Sequence, residues 1–86
     1  MTSEETRQRV LEMLGRMAPE ADLEAIDPRQ DLREHLDLDS MDFLNFALGL
    51  NELFGLDVPE RDYLRMSTLD GCVGYLVDRS AAEVQR

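Results

Sequence analysis

Apolar residues recur at helical spacing near the start of the chain. They lie three or four residues apart, as on one face of an α-helix: Val10, Leu11, Leu14 and Met17. Thr2 and Glu5 have the spacing of a capping box, and Pro19 follows closely enough to end the helix. This pattern predicts a first helix over roughly residues 3 to 17.

A second apolar run begins at Ser40, in the segment SMDFLNFALGLNELF. Its apolar side chains recur at i, i+3, i+4, i+7 and i+11, which predicts one buried helix face. The predicted inward residues are Phe43, Phe46, Ala47, Leu50 and Phe54. Asp39 is suited to cap this helix, Asp42 lies in the first turn where the helix dipole favours an acid, and Gly55 fits its C-terminal end.

The segments around these two helices complete the predicted fold. Residues 19 to 39 form a long acidic loop with a short helical turn around residues 30 to 36, and apolar side chains indicate that the loop packs over the core. After Pro59, ERDYLRM predicts a short helix. STLDGCVGYLVDR predicts a last helix that Ser67 or Thr68 caps and in which Gly71 and Gly74 mark close packing. The sequence thus predicts an all-α protein: one domain over residues 1–86 with a small four-helix bundle, of three main helices and a short third one, and a long loop between helices 1 and 2.

The charge of the chain restricts its partners. Nineteen acidic and nine basic residues give a formal net charge of −10 over 86 residues. This charge repels nucleic acids and anionic membranes, and it favours partners with basic docking surfaces. Cys72 is the only cysteine, which excludes an intrachain disulfide and indicates a small buried apolar side chain. With no signal-like start and no membrane-length apolar run, we expect a soluble cytoplasmic protein. We also expect it to be a monomer.

Ser40 lies between Asp39 and Asp42, with no residue nearby that could activate it for catalysis. His35, the only histidine, is five residues upstream and predicted in the loop, and no GxSxG motif is present. The sequence therefore argues against a catalytic serine of the hydrolase type. We predict no catalytic residue in this chain.

The acids around Ser40 also do not form a calcium loop. A calcium loop that starts at Asp37 requires an oxygen ligand at position 5, glycine at position 6 and glutamate at position 12. The chain has Met41, Asp42 and Leu48 at these positions. We predict no metal site here.

The segment LDLDSMDFLNFALGLNELFGLDVPE resembles the phosphopantetheine-attachment region of acyl carrier proteins. Asp39-Ser40-Met41 is similar to the Asp-Ser-Leu signature of that family, and the resemblance extends over nearly the whole chain. It implies that a phosphopantetheinyl transferase attaches 4'-phosphopantetheine from coenzyme A to Ser40 with the help of Mg²⁺, which Asp39 helps to hold. The chain would then be a substrate of enzymes rather than a catalyst, and would carry acyl groups as thioesters.

Several positions depart from the pattern of the family. Asp37 stands where glycine is common, and Met41 replaces the usual leucine. Asn45, Asn51 and Leu53 occupy positions where acids are frequent, which favours a carrier of a specialised pathway over a housekeeping fatty-acid carrier. Two alternatives remain open at this stage: a peptidyl or D-alanyl carrier, and a helical interaction module in which Ser40 is only a cap residue.

The outward face of the second helix is the predicted docking surface. Its residues are Met41, Leu44, Asn45, Leu48 and Glu52, with Leu44 and Leu48 as an exposed apolar pair. We expect acyl-transferring or condensing enzymes to grip this face, while Asp39 and Asp42 steer their approach. Phe43 and Phe46 are bulky for the interior of such a carrier, and they predict little room there for an acyl chain.

Overall fold

The computed structural model describes the backbone of residues 2–84 and the side chains of residues 2–80. Its elements are α1 (Ser3–Met17), a 3₁₀ turn (Leu23–Ala25), α2 (Leu32–His35), α3 (Ser40–Phe54), a 3₁₀ segment (Glu60–Met66) and α4 (Leu69–Val84). No β-strand occurs in this part of the chain, although an isolated bridge joins Asp31 to Thr68. The all-α prediction is confirmed, and the short third helix of the predicted bundle is the 3₁₀ segment.

Local side-chain and backbone bonds define the ends of the long helices. Thr2 Oγ1 accepts the backbone N–H of Glu5 at 3.1 Å and so caps α1. Gly55 ends α3 with φ of 65°, a left-handed conformation in which glycine has no Cβ to clash. At the start of α4, Thr68 Oγ1 accepts the N–H of Gly71 at 3.0 Å. Of the two predicted caps for the last helix, Thr68 is therefore the one that acts.

The core lies where α1 packs against α3 and α4. Leu14, Phe46, Leu50 and Leu76 have no exposed surface, and each stabilises the fold by about 1.5–3 kcal/mol relative to an exposed side chain. The buried side chains of α3 are those predicted from its periodicity: Phe43, Phe46, Ala47 and Leu50. Phe54, the fifth predicted inward residue, is half-buried and packs against this core from the last turn of α3.

Backbone hydrogen bonds fasten the loop between α1 and α3 to the beginning of α4. The N–H of Leu32 donates to the carbonyl of Ser67 at 2.7 Å, and that of Asp70 donates to the carbonyl of Pro28 at 3.0 Å. Ile26 and Leu32 are buried beneath this connection. The loop thus packs over the core as predicted, and its position is determined by α4 as well as by the helices that it joins.

The two glycines of α4 have different surroundings. A Cβ on Gly71 would lie 2.6 Å from the carbonyl oxygen of Arg65, which is too close for any real Cβ, so the predicted close packing is confirmed there. A Cβ on Gly74 would meet nothing within 4 Å, and Gly74 is exposed. The prediction is wrong for Gly74, because Gly74 lies on the solvent-facing side of α4, whereas its neighbours Val73 and Tyr75 are buried.

Tyr75 joins the 3₁₀ segment to α4. Its hydroxyl donates to Asp62 Oδ2 at 2.7 Å and accepts a hydrogen bond from Arg79 Nη1 at 2.9 Å. The guanidinium of Arg65 lies 4.8 Å from the centroid of the Tyr75 ring, within the range of a cation–π interaction. Burial and the neighbouring Asp62 carboxylate both raise the pKa of Tyr75. The hydroxyl therefore remains a donor over the whole neutral range and holds the 3₁₀ segment in place.

Candidate attachment site at the start of helix α3

A tight turn after α2 delivers the chain to the start of α3. The N–H of Leu38 donates to the carbonyl of Arg33 at 2.8 Å, which is the bond that closes a Schellman turn. Asp37 lies in this turn with φ of 55°. This left-handed conformation is one that glycine adopts readily and that aspartate tolerates better than most residues. A positive φ is a physical reason for glycine at this position in the family, and Asp37 adopts the same backbone conformation.

Asp39 and Asp42 form a capping box around Ser40. The N–H of Asp42 donates to Asp39 Oδ1 at 2.8 Å, and the N–H of Asp39 donates to Asp42 Oδ2 at 3.3 Å. Both bonds satisfy amide groups that the first turn of α3 would otherwise leave unpaired. Ser40 is the first residue of α3 and lies between these two bonds. The cap at Asp39 is confirmed, whereas the reciprocal bond to Asp42 was not predicted.

The Ser40 side chain is exposed, and its hydroxyl forms no hydrogen bond with any residue that the structure describes. His35 does not act on it, because His35 Nδ1 lies 3.0 Å from Gln30 Oε1 in a contact of its own. An accessible hydroxyl without a local base suits a group that another enzyme modifies. A phosphate linked to Ser40 would lie at the N-terminal end of α3, where the helix dipole favours negative charge. These features fit a phosphopantetheine group.

Cys72 is the chain's single thiol and could be considered as a competing nucleophile. Its side chain is fully buried, and burial raises the pKa of the thiol to about 12. It is therefore protonated at neutral pH and out of reach of another enzyme. Its role as a small buried apolar side chain agrees with the prediction.

Arg33 places a positive charge beside the first turn of α3. Its Nη2 and Nε atoms donate to Asp31 Oδ2 and Oδ1 at 2.7 and 3.1 Å, and its guanidinium lies 5.4 Å from the centroid of the Phe43 ring. The hydrogen bond from Arg33 holds the pKa of Asp31 below its usual value. This cluster was not predicted, because nothing in the local sequence indicates that an arginine of α2 lies over a ring of α3.

The outward face of α3 is partly as predicted. Met41 is 63% exposed and Leu48 46% exposed, and Asn45 and Glu52 are exposed beside them. Leu44, however, is half-buried. The prediction that Leu44 and Leu48 form an exposed pair is therefore wrong for Leu44. Leu44 lies next to the buried Phe43 and one turn before the buried Ala47, so it stands at the edge of the buried face of α3.

Neither a metal cluster nor a membrane-spanning helix is found in the described residues. No three histidine, cysteine, aspartate or glutamate side chains among them are grouped so that they could hold a metal ion. Within the same range, no helix combines the length and the apolar character needed to cross a membrane.

Comparison with known proteins identifies the family. Residues 7–76 match the family described as "Phosphopantetheine attachment site". The chain is 28% identical over 82 residues to the acyl carrier protein of Rubrobacter xylanophilus, covering 95% of this chain and 100% of that protein. It is 28% identical over 76 residues to that of Lactobacillus johnsonii, covering 88% and 94%. The fold matches a solved structure of the acyl carrier protein from Enterococcus faecalis with a TM-score of 0.77 and 24% identity, over 91% of this chain and 98% of that one. The chain belongs to the acyl carrier protein family and is a carrier whose cofactor is phosphopantetheine.

Proposed function

We propose that Ser40 is the residue to which the phosphopantetheine arm is attached, within a single carrier domain that extends over residues 1–86. The observation that carries this proposal is the exposed Ser40 hydroxyl, which has no hydrogen-bond partner among the described residues and lies inside the capping box of Asp39 and Asp42. The arm's thiol then carries acyl groups as thioesters between enzymes.

The attachment step needs a base that this chain does not supply beside Ser40. In the proposed reaction, Ser40 Oγ attacks the phosphorus that bears the pantetheine group of coenzyme A. A new O–P bond forms, the pyrophosphate bond breaks, and adenosine 3',5'-bisphosphate leaves. A phosphopantetheinyl transferase accepts the proton of Ser40 and supplies Mg²⁺, and Asp39 contributes negative charge next to that cation.

A proteolytic fragment tests the attachment residue directly. Trypsin cleaves after arginine here, because the chain has no lysine, and residues 34–61 form one fragment. Ser40 is the only residue in this fragment with a hydroxyl or thiol side chain. After incubation with coenzyme A and a promiscuous transferase, we expect the added mass on this fragment. Added mass on any other fragment would contradict the assignment.

The proposed docking surface consists of Met41, Asn45, Leu48 and Glu52, with Leu44 at its edge. Met41 and Leu48 provide exposed apolar contact area, which carries more binding energy than scattered surface charges. Asp39 and Asp42 add negative charge that steers a basic partner surface and raises its association rate. The partners are the transferase and acyl-transferring or condensing enzymes. The replacement of acids by Asn45, Asn51 and Leu53 supports a specialised pathway.

Paired substitutions on the surface test the docking proposal. Leu48→Asp should weaken transferase binding at least about tenfold, because it places a charge in an apolar contact. Leu64→Asp is the matched control, since Leu64 is 67% exposed on the 3₁₀ segment and outside the docking surface. Equal losses for the two variants would show that the effect is one of net charge and would contradict a specific apolar contact at Leu48.

The carrier is proposed to act as a monomer in the cytoplasm. A net charge of −10 makes two copies repel each other. The single unpaired Cys72 is compatible with a reducing compartment.

A further inference from the structure

A surface groove lies between the C-terminal end of α1 and the turn that joins α2 to α3. Its volume is about 530 Å³, which is within the range of small-molecule sites. Six residues give it an apolar lining: Met17, Ala18, Pro19, Ala21, Leu36 and Leu38. Because the groove is open in the folded protein, a guest can enter it without moving the core.

The groove begins next to Ser40. Asp42, which lines it, is two residues along α3 and therefore about 3 Å further along the helix axis. Leu38, also in the lining, is two residues before Ser40, so their Cα atoms are at most about 7.6 Å apart. A group tethered to Ser40 therefore samples this groove at a high effective concentration.

We propose that this groove holds the phosphopantetheine arm together with a short, uncharged acyl group, on the outside of the bundle. The proposal rests on the attachment of the arm to Ser40. It assigns the cargo a resting place that does not require the helices to separate.

The interior of the bundle has less room for an acyl group than the groove has. The Phe43 and Phe46 side chains are 6% and 0% exposed, and their ring centroids are 6.1 Å apart. Inserting methylene groups into a core packed in this way forces side chains and backbone to shift. The groove at the end of α1 requires no such shift.

The charges at the groove select for uncharged cargo. Glu20, Asp37 and Asp42 contribute three carboxylates to its lining, which also contains the His35 imidazole that contacts Gln30. A cargo that ends in its own carboxylate would be repelled, since two like charges about 4 Å apart in water disfavour the contact about fivefold. A neutral acyl chain escapes this repulsion and buries its methylene groups against the apolar lining.

Chemical shifts of the loaded carrier test the proposal. A promiscuous transferase converts the protein to its hexanoyl and succinyl forms with hexanoyl- and succinyl-coenzyme A as donors. Intact mass confirms loading on the wild type and none on Ser40→Ala. We expect the hexanoyl arm to shift the backbone amides of residues 18–21 and 36–38 relative to the unmodified protein, and to leave those of Phe46 and Leu76 unchanged. The succinyl arm should produce these shifts with about a fivefold smaller docked population.

Two substitutions separate docking in the groove from a general effect of the arm. Ala21→Trp fills the groove and should abolish the shifts at residues 36–38, whereas Ala25→Trp, at an exposed site outside the lining, should leave them unchanged. Glu20→Gln should raise the docked population of the succinyl arm, and the exposed Glu24→Gln should not.

The outcomes are distinguishable. Shifts at Phe46 and Leu76 in the hexanoyl form would overturn the groove proposal, because they place the cargo in the core. Shifts confined to the immediate neighbours of Ser40 would overturn it as well. Failure to load at Ser40 would instead overturn the attachment proposal, and the mass measurement detects this before any shift is recorded.

Discussion

Asp39 and Asp42 each accept the other's backbone N–H, at 2.8 and 3.3 Å, on either side of Ser40. The two carboxylates therefore have a structural role in starting α3 as well as a proposed role in attracting partners. Substitutions can separate these roles, because asparagine caps a helix about as well as aspartate but carries no charge.

Two substitutions of Asp39 separate its role as a helix cap, which affects stability, from the role of its charge, which affects the rate of modification. We expect Asp39→Ala to lower the free energy of unfolding by about 1 kcal/mol and Asp39→Asn to leave it nearly unchanged. Both variants should slow modification by the transferase about tenfold, because both lack the charge next to the Mg²⁺ that the enzyme supplies. Urea denaturation and rates of modification provide the two measurements.

The control for the Asp39 variants is Asp78→Asn, which removes one exposed negative charge from α4. It should not slow modification. If Asp39→Asn is modified as fast as the wild type, Asp39 acts only as a helix cap.

The two glycines of α4 should respond to alanine with opposite signs. Gly71→Ala should lower the free energy of unfolding by about 1–3 kcal/mol, because its Cβ would lie 2.6 Å from the Arg65 carbonyl oxygen and the backbone must shift. Gly74→Ala should raise it by about 0.5–1 kcal/mol, since its Cβ meets nothing and alanine is the better helix former. Destabilisation by both would mean that α4 is packed more tightly around Gly74 than the structure shows.

The left-handed conformation of Asp37 limits what can replace it. Asp37→Val should lower the free energy of unfolding by more than about 1 kcal/mol, because a β-branched side chain clashes at φ of 55°. Asp37→Gly should change it by less than about 1 kcal/mol, as relief of strain is offset by the greater freedom of glycine in the unfolded chain. Thermal melts would measure both, with Asp57→Val as a control at an exposed position of negative φ. Equal effects of Asp37→Val and Asp57→Val would contradict a role for the turn.

Asp31 and Arg33 should make stability depend on pH on the acid side. Arg33 lowers the pKa of Asp31 in the folded protein, whereas in the unfolded chain it is about 3.9. The pair therefore stabilises the fold fully above the unfolded pKa, and its contribution is lost as the pH falls through the folded pKa. The difference in unfolding free energy between the wild type and Asp31→Asn should be constant near neutral pH and should shrink below about pH 4. A difference that does not change with pH would exclude the ion pair as its cause.

The features that were predicted correctly are those that neighbours along the chain determine. The caps at Thr2 and Asp39, the end of α3 at Gly55 and the buried face of α3 all follow from local spacing. The features that were predicted wrongly depend on how a helix packs against other elements. The half-burial of Leu44 and the exposure of Gly74 depend on which side of each helix the neighbouring elements cover.

The features around the candidate site divide in the same way. Ser40, its cap Asp39 and the first-turn acid Asp42 were predicted, since signature and cap are contiguous in sequence. The position of Arg33 over Phe43 and the groove between α1 and α2 join residues that are distant in sequence, and they become visible only when the helices are assembled.

Intact mass after incubation with coenzyme A and a promiscuous transferase tests the central claim, that Ser40 carries the phosphopantetheine arm, most directly. The wild type and Ser3→Ala, which replaces an exposed serine at the start of α1, should each gain the mass of one arm. Ser40→Ala should gain none while it melts as a folded protein. An arm on Ser40→Ala, or no arm on the wild type, would contradict the account.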